Sequence, residues 1–190
     1  LHLGFAPHAV AAAIATQRPV QLICERGEDM RTANPRENSV VELVSAVDRE
    51  GRLLARKSEI IMDSGAYALD VQFLNSMAAF YSTGPYHIEN LELSSRAVYT
   101  NTPPTGSFRG PTGPQCVYAV EKHMDDIAEA LGLDRLEVRR RNFIKKGQRG
   151  PAGELMASEI TIGACLDKGC AKLEEFRANP IPGTEGSPRG

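Results

Sequence analysis

The sequence predicts an α+β fold, a mixed β-sheet with helices packed on it. Three observations predict it. Two β-rich runs, 40–47 and 53–62, flank the turn Asp48-Arg49-Glu50-Gly51. One long helical run, 114–131, carries apolar residues at helical spacing. Strand pairs and helices are mixed along the chain with no regular β-α-β alternation, which favours α+β over a wound parallel sheet.

Residues 8–16 read HAVAAAIAT, a helix by alanine propensity that Arg18-Pro19 ends. VQLIC at 20–24 is a short apolar run and predicts a buried strand. The polar stretch 25–37 contains Asn34-Pro35 and predicts loop or a single helical turn. The hairpin follows, with Gly51 in the left-handed turn position. Residues 71–81 form a weakly amphipathic helix that Gly84-Pro85 stops, and LELSSRAVYT at 91–100 is a further strand. NTPPTGSFRGPTG at 101–113 is a long loop.

In the helix that follows the loop, Val117, Val120, Met124, Ile127, Ala128 and Leu131 form the apolar stripe, with Pro114 in the first turn and Gly132 as the C-terminal cap. Asp134 caps the next helix, to about Asn142, and Glu137 completes a capping-box pattern. After the linker 147–153, residues 161–176 predict a last helix. One domain is expected over 1–178. NPIPGTEGSPRG at 179–190 has little to bury and is expected to be a flexible tail.

Composition narrows the function classes. Lys and Arg total 22 against 24 Asp and Glu, for a net charge of -2, which argues against nucleic acid as a partner. The triplet Arg139-Arg140-Arg141 fits a helix C-terminus better than a nucleic-acid patch. No apolar run approaches the ~20 residues of a membrane helix. The start, Leu1-His2-Leu3-Gly4, has no initiator Met and no signal-peptide pattern, and reads as an internal beginning. Cys24, Cys116, Cys165 and Cys170 form no C-x-x-C pair and are expected as free thiols in a reducing cytoplasm.

Four histidines, His2, His8, His87 and His123, match no metal-ligand spacing. Surface pairing with Asp126 accounts for His123. Glu25, Glu28 and Asp29 could pair as catalytic carboxylates, but a solvated loop interacting with Arg26 and Arg31 is the simpler reading. Asp63 before Ser64-Gly65 predicts an Asx-type turn.

The loop 100–115 carries the chemistry. Long unstructured loops in compact domains are usually functional or disordered, and a strand and a strong helix tie this one down. Gly106, Gly110 and Gly113 let the backbone approach a ligand, with Ser107, Phe108 and Arg109 between them. The loop feeds a helix N-terminus, which favours an anionic group. By physics alone it is either an anion or cofactor cradle, or a surface connection with an aromatic plug.

TNTPPTGSFRGPTGPQ at 100–115, followed by AVEKHMDDIAEALGLDRLEVRRRNFIKKG at 119–147, resembles the molybdenum-binding subunit of xanthine dehydrogenases and aldehyde oxidases. RPVQLICERGEDM at 18–30, DSGAYALD at 63–70 and TGPYHIENLELSSRAVYTN at 83–101 fall in that family's order, and the likeness runs from about residue 1 to 181. The resemblance implies an internal piece of an oxidoreductase that hydroxylates an aldehyde or aromatic heterocycle, with oxygen from water. It implies molybdopterin as cofactor, with FAD and [2Fe-2S] on other domains or subunits. Ser107, Phe108, Arg109 and Gly110 would lie beside the molybdenum centre, Phe108 also forming the substrate funnel, with Gln115 a weaker candidate behind them.

Departures from the family pattern carry expectations too. The family's glycine-rich loop before the alanine-rich helix, and its glutamate general base far toward the C-terminus, fall outside this chain. The isolated chain is therefore expected to be inactive and to bind no cofactor. Its partners would be the rest of the molybdenum subunit and the iron-sulphur and FAD subunits, with a homodimer through exposed apolar surface as an option. Met77 stands at the position of the arginine that clamps purines in some members, which points to an aldehyde-like or apolar heterocyclic substrate. Carbon monoxide dehydrogenases place a cysteine in this loop, and residues 105–109 have none. Pro111 replaces the second aromatic usual after Phe-Arg-Gly, and joins Met77 and Phe108 as a substrate-pocket candidate. The alternative reading is a non-catalytic truncated subunit that only binds a partner chain.

Overall fold

A computed structural model describes residues 4–179. In chain order these residues form α1 (Ala6–Thr16), α2 (Arg26–Thr32), β1 (Ser39–Val47), β2 (Leu53–Gly65), α3 (Val71–Tyr81), β3 (Asn90–Tyr99), α4 (Gly113–Leu131), α5 (Arg135–Asn142) and α6 (Ile162–Ala178). The strands make one sheet in the order β1-β2-β3. The expected tail falls almost wholly on residues 180–190, outside the described residues.

Gly51 has φ +81, and its amide donates to the Asp48 carbonyl at 3.0 Å, so the hairpin turns where its sequence placed it. β1 and β2 run antiparallel. β2 and β3 do not, because Asn90 reaches the Leu54 carbonyl while the Thr100 amide reaches Gly65. Both contacts advance together, so the strands are parallel and α3 is their crossover. One β-α-β step therefore sits inside the α+β fold, hidden from a reading that looked for repeated alternation.

The chain divides into two compact units, each holding part of every strand and of α4. Among the described residues, the first comprises 4–42, 58–81 and 93–118. Ile60, Met62, Leu74, Ala78 and Cys116 form its core, with Val41 against them. Among the described residues, the second comprises 43–57, 82–92 and 119–179. Its core is larger, with Leu53, Tyr86, Ile88, Val120, Met124, Ile127, Ala128, Val138 and Phe143 buried together. Asn142 ties that unit: its Oδ1 accepts from the Leu53 amide at 2.8 Å, and its Nδ2 donates to the Gly51 carbonyl at 2.7 Å.

Several expectations need correction. VQLIC at 20–24 is not a buried strand. It is irregular, and Ile23 is 76% exposed, because no strand among the described residues pairs with it. Residues 26–32 form a two-turn helix, longer than the single helical turn expected as the alternative to a loop. Glu25 and Glu28 close its capping box and Asp29 takes Arg26 at 2.6 Å, while Arg31 donates to the Gly27 carbonyl, so the acidic cluster starts a helix. In α4 the buried stripe begins at Cys116, and Val117 is exposed, since Cys116, Val120 and Met124 share the inward face at four-residue spacing. α5 shows only half of a capping box. Asp134 accepts from the Leu136 and Glu137 amides, but the Glu137 carboxylate turns to Arg141.

His123 does not pair with Asp126. Its Nε2 meets Ser45 Oγ at 3.0 Å, and Asp126 takes Lys122. Burial, and then Arg56, lower its pKa. Each arginine of the triplet is paired: Arg139 with Glu121 and Asp125, Arg140 with Asp167, and Arg141 with Glu137.

Candidate functional site

The loop 100–115 and the residues that fasten it lie within the first unit. β2 ends at Gly65, where φ is +69 and a Cβ would lie 2.3 Å from the Pro103 carbonyl oxygen. Only glycine permits that approach, and it sets the start of the loop. Asp63 makes the expected Asx turn, accepting from the Gly65 amide at 2.8 Å. It also accepts from Thr100 Oγ1 at 2.5 Å and from Thr102 Oγ1 at 3.2 Å. Burial pushes the Asp63 carboxyl up, but the hydrogen bonds from Thr100, Gly65 and Thr102 outweigh it and hold its pKa below the usual value.

The loop is then fastened residue by residue. The Asn34 side-chain amide donates to the Pro104 carbonyl at 2.8 Å, and the Gly106 amide to the Pro35 carbonyl at 3.3 Å. Asp70 Oδ2 accepts from both the amide and the hydroxyl of Ser107. Gly106 lies close against Asn34 and Asp70. Thr112, buried, holds φ +55, an unusual conformation for a non-glycine residue, and its carbonyl accepts the Cys116 amide at the start of α4.

Arg36 grips the centre. One guanidinium donates to the Arg109 carbonyl at 2.5 Å and the Gly110 carbonyl at 2.8 Å, and reaches the Phe108 carbonyl at 3.5 Å. The same group stands 5.3 Å from the Phe108 ring centre. Gln115 sits behind it, its Oε1 at 3.5 Å from Arg36 and its Nε2 donating to Glu37 Oε1 at 2.6 Å. Glu37 is only 4% exposed, and its Oε2 has no hydrogen-bond partner among the described residues. The Arg109 and Gly110 amides likewise meet no acceptor there.

The Phe108 ring, 56% exposed, opens on a cleft of about 890 Å³. Phe5, Met30 and Leu69 supply apolar wall, and Arg36 and Ser107 supply polar edge. The structure thus gathers Ser107, Phe108, Arg109, Gly110 and Gln115 around Arg36. Met77 is half-buried on α3 and Pro111 follows Gly110, and neither lines this cleft.

Arg36, Glu37, Asn34 and Asp70 escaped the sequence reading. Arg36 and its loop partners are 72 to 74 positions apart, so no local spacing marks them. The available signal was weak: an Arg-Glu pair straight after Asn34-Pro35, where the chain has just been broken.

Residues 2–143 match the molybdopterin cofactor-binding domain family, and the chain belongs to it. It is 34% identical over 149 residues to a probable xanthine dehydrogenase subunit of Bacillus subtilis, covering 78% of this chain and 20% of that protein. It is 29% identical over 175 residues to the nicotinate dehydrogenase large molybdopterin subunit of Eubacterium barkeri, covering 92% of this chain and 41% of the other. Among solved structures, the aldehyde oxidoreductase from Desulfovibrio desulfuricans superposes with a TM-score of 0.83 at 27% identity, over 92% of this chain and 19% of that one. The chain therefore spans between about a fifth and two fifths of the length of these relatives.

Proposed function

We propose that this chain is the part of a molybdenum hydroxylase that presents the 107–110 loop to a molybdopterin cofactor. The whole enzyme would oxidise an aldehyde or an apolar aromatic heterocycle, with water supplying the oxygen. The observation that carries the reading is the pair of unpartnered amides at Arg109 and Gly110, within a chain that belongs to the molybdopterin cofactor-binding family.

The residues suit such a group. Two free N–H donors on adjacent residues favour an oxygen- or sulphur-rich anion. Gly110 has φ +66, and a Cβ there would meet nothing nearer than Pro114 at 3.9 Å, so the backbone is open to a ligand. When bound, the cofactor would supply the two-electron oxidation, and the protein would bind and orient. Ser107, held by Asp70, fixes the entry to the loop. The Arg109 and Gly110 amides hold the anion, Phe108 offers an apolar ring to the substrate, and Gln115, held by Glu37, backs the loop. The resemblance puts Met77 where some members carry a charged clamp and Pro111 at the rim of the substrate pocket, but neither lines the cleft at Phe108, so the resemblance alone supports an uncharged substrate.

On this reading the chain needs the rest of the molybdenum subunit, and iron-sulphur and FAD partners to carry electrons away, and is inactive by itself. The protein would work in the cytoplasm, and no helix among the described residues is long and apolar enough to cross a membrane. A second reading, an assembly module that only binds a partner chain, draws on the exposed apolar run at 20–24.

Elemental analysis tests the choice. Molybdenum should be present in the full-length protein and fall sharply in Arg109→Pro, which removes one of the two amide hydrogens. A well-folded full-length protein without molybdenum refutes the hydroxylase reading and leaves the assembly module.

A further inference from the structure

We infer that Arg36 is a positioning residue: by gripping the carbonyls of Phe108, Arg109 and Gly110, it turns the Arg109 and Gly110 amides outward as a preformed pair of donors. The inference rests on the reading above that this loop faces the cofactor, but its mechanism belongs to the chain's own residues.

The peptide plane sets the geometry. In a trans peptide the carbonyl and the following N–H point in opposite directions. The carbonyl of Phe108 shares its plane with the amide of Arg109, and the carbonyl of Arg109 with that of Gly110. A single guanidinium that collects those carbonyls on one side therefore sends both amides to the other. The third carbonyl, that of Gly110, shares its plane with Pro111, which has no hydrogen to donate, so the donor pair ends there.

Arginine suits the task. Its guanidinium is planar and holds five donors in a rigid fork, so it can meet adjacent carbonyls together. Here Nη2 serves Arg109 at 2.5 Å and Phe108 at 3.5 Å, while Nη1 serves Gly110 at 2.8 Å. A lysine ammonium is a compact point charge on a flexible stem and cannot reproduce that spread. Arg36 is itself steadied, on one side by Gln115 Oε1 and on the other by the Phe108 ring. Gln115 is oriented in turn: with its Nε2 committed to Glu37, its Oε1 faces Arg36. The chain Glu37, Gln115, Arg36 thus ends at the three carbonyls.

Preorganisation is what such a brace provides. Donors that already point at the ligand cost little reorganisation when it arrives. A loop with three glycines and four prolines from 103 to 114 would otherwise sample many orientations of the same amides.

The test is ¹⁵N relaxation on the 190-residue chain, comparing Arg36→Lys and Arg36→Met with the unaltered protein. The amides of Arg109 and Gly110 should have order parameters near about 0.85 in the unaltered chain, falling below about 0.6 in both variants. The amides of α4 and the melting temperature should barely move, which separates loop positioning from a general structural role. Arg36→Lys should fail to rescue, although it keeps the charge. Should Arg36→Met unfold the chain, Arg36→Lys decides by the same readout. Order parameters unchanged in a folded variant, or lost equally throughout the first unit, overturn the inference.

Molybdenum content of the unaltered full-length protein is measured in parallel. Amide order lost in the variants, with no molybdenum in the unaltered protein, refutes the hydroxylase reading and leaves the brace standing. Molybdenum present, with amide order unchanged in the variants, does the reverse.

Discussion

Gly65→Ala should destabilise the chain well beyond the usual cost of an alanine in a left-handed position. Gly65 and Gly110 have nearly the same φ, +69 and +66, and lie in the same unit. Their surroundings differ. A Cβ at 110 would have 3.9 Å of clearance, whereas at 65 it would lie 2.3 Å from the Pro103 oxygen and 2.7 Å from the Pro104 Cα. Those are backbone atoms, which no rotamer change can move aside. The left-handed alanine costs roughly 1–2 kcal/mol, and its stiffer unfolded chain returns about 0.4–1 kcal/mol. Gly110→Ala should therefore cost about 1 kcal/mol. At Gly65 the 103–104 segment must also shift, which adds about 1–3 kcal/mol and gives a total of about 2–4 kcal/mol. Urea unfolding of the two variants beside the unaltered chain measures the difference through the midpoint at constant slope. Equal losses in the two variants would refute the claim that the close backbone approach at Gly65 sets the loop.

Stability should also fall with acidification because of His123. Burial and Arg56 lower its pKa below the ordinary 6.5, so the unfolded chain binds the proton more readily. The contribution is complete above about pH 6.5 and is lost as the pH drops through the folded value. His123→Gln should flatten that part of a plot of unfolding midpoint against pH, and an unchanged slope would remove His123 as the cause. Thiol labelling offers a third check. Cys116 is fully buried and its thiol is pushed up to about 11, whereas Cys165 is exposed. Iodoacetamide at pH about 8 should modify Cys165 in the native chain and Cys116 only after denaturation. Mass spectrometry of the peptides reads this, and native labelling of Cys116 would contradict its burial.

What the sequence determined by itself was mostly local. Gly51 between two β-rich runs specifies the hairpin, and Gly84-Pro85 limits α3. Asp134 starts α5 and Gly132, with φ +64, ends α4. Each signal works within a few residues, through allowed dihedrals or a side chain capping a nearby amide, so it survives without knowledge of the rest of the chain. The loop at 100–115 was legible for the same reason, since glycine, proline and threonine cluster there, and the resemblance pointed to the same family that residues 2–143 match.

Tertiary structure decided what depends on partners far away in sequence. The apolar run at 20–24 has the composition of a strand, but a strand exists only where another strand pairs with it, and here none of the described residues does. β3 lies parallel to β2 because α3 carries the chain back, a path that no single run of residues encodes. His123 chose Ser45, 78 positions distant, over a neighbour on its own helix. Arg36 lies in a stretch read as loop or a single helical turn, and its importance comes from carbonyls more than 70 positions away. Backbone carbonyls are present at every residue and leave no mark in a sequence, so a side chain that acts by gripping them becomes visible only when the fold brings them together.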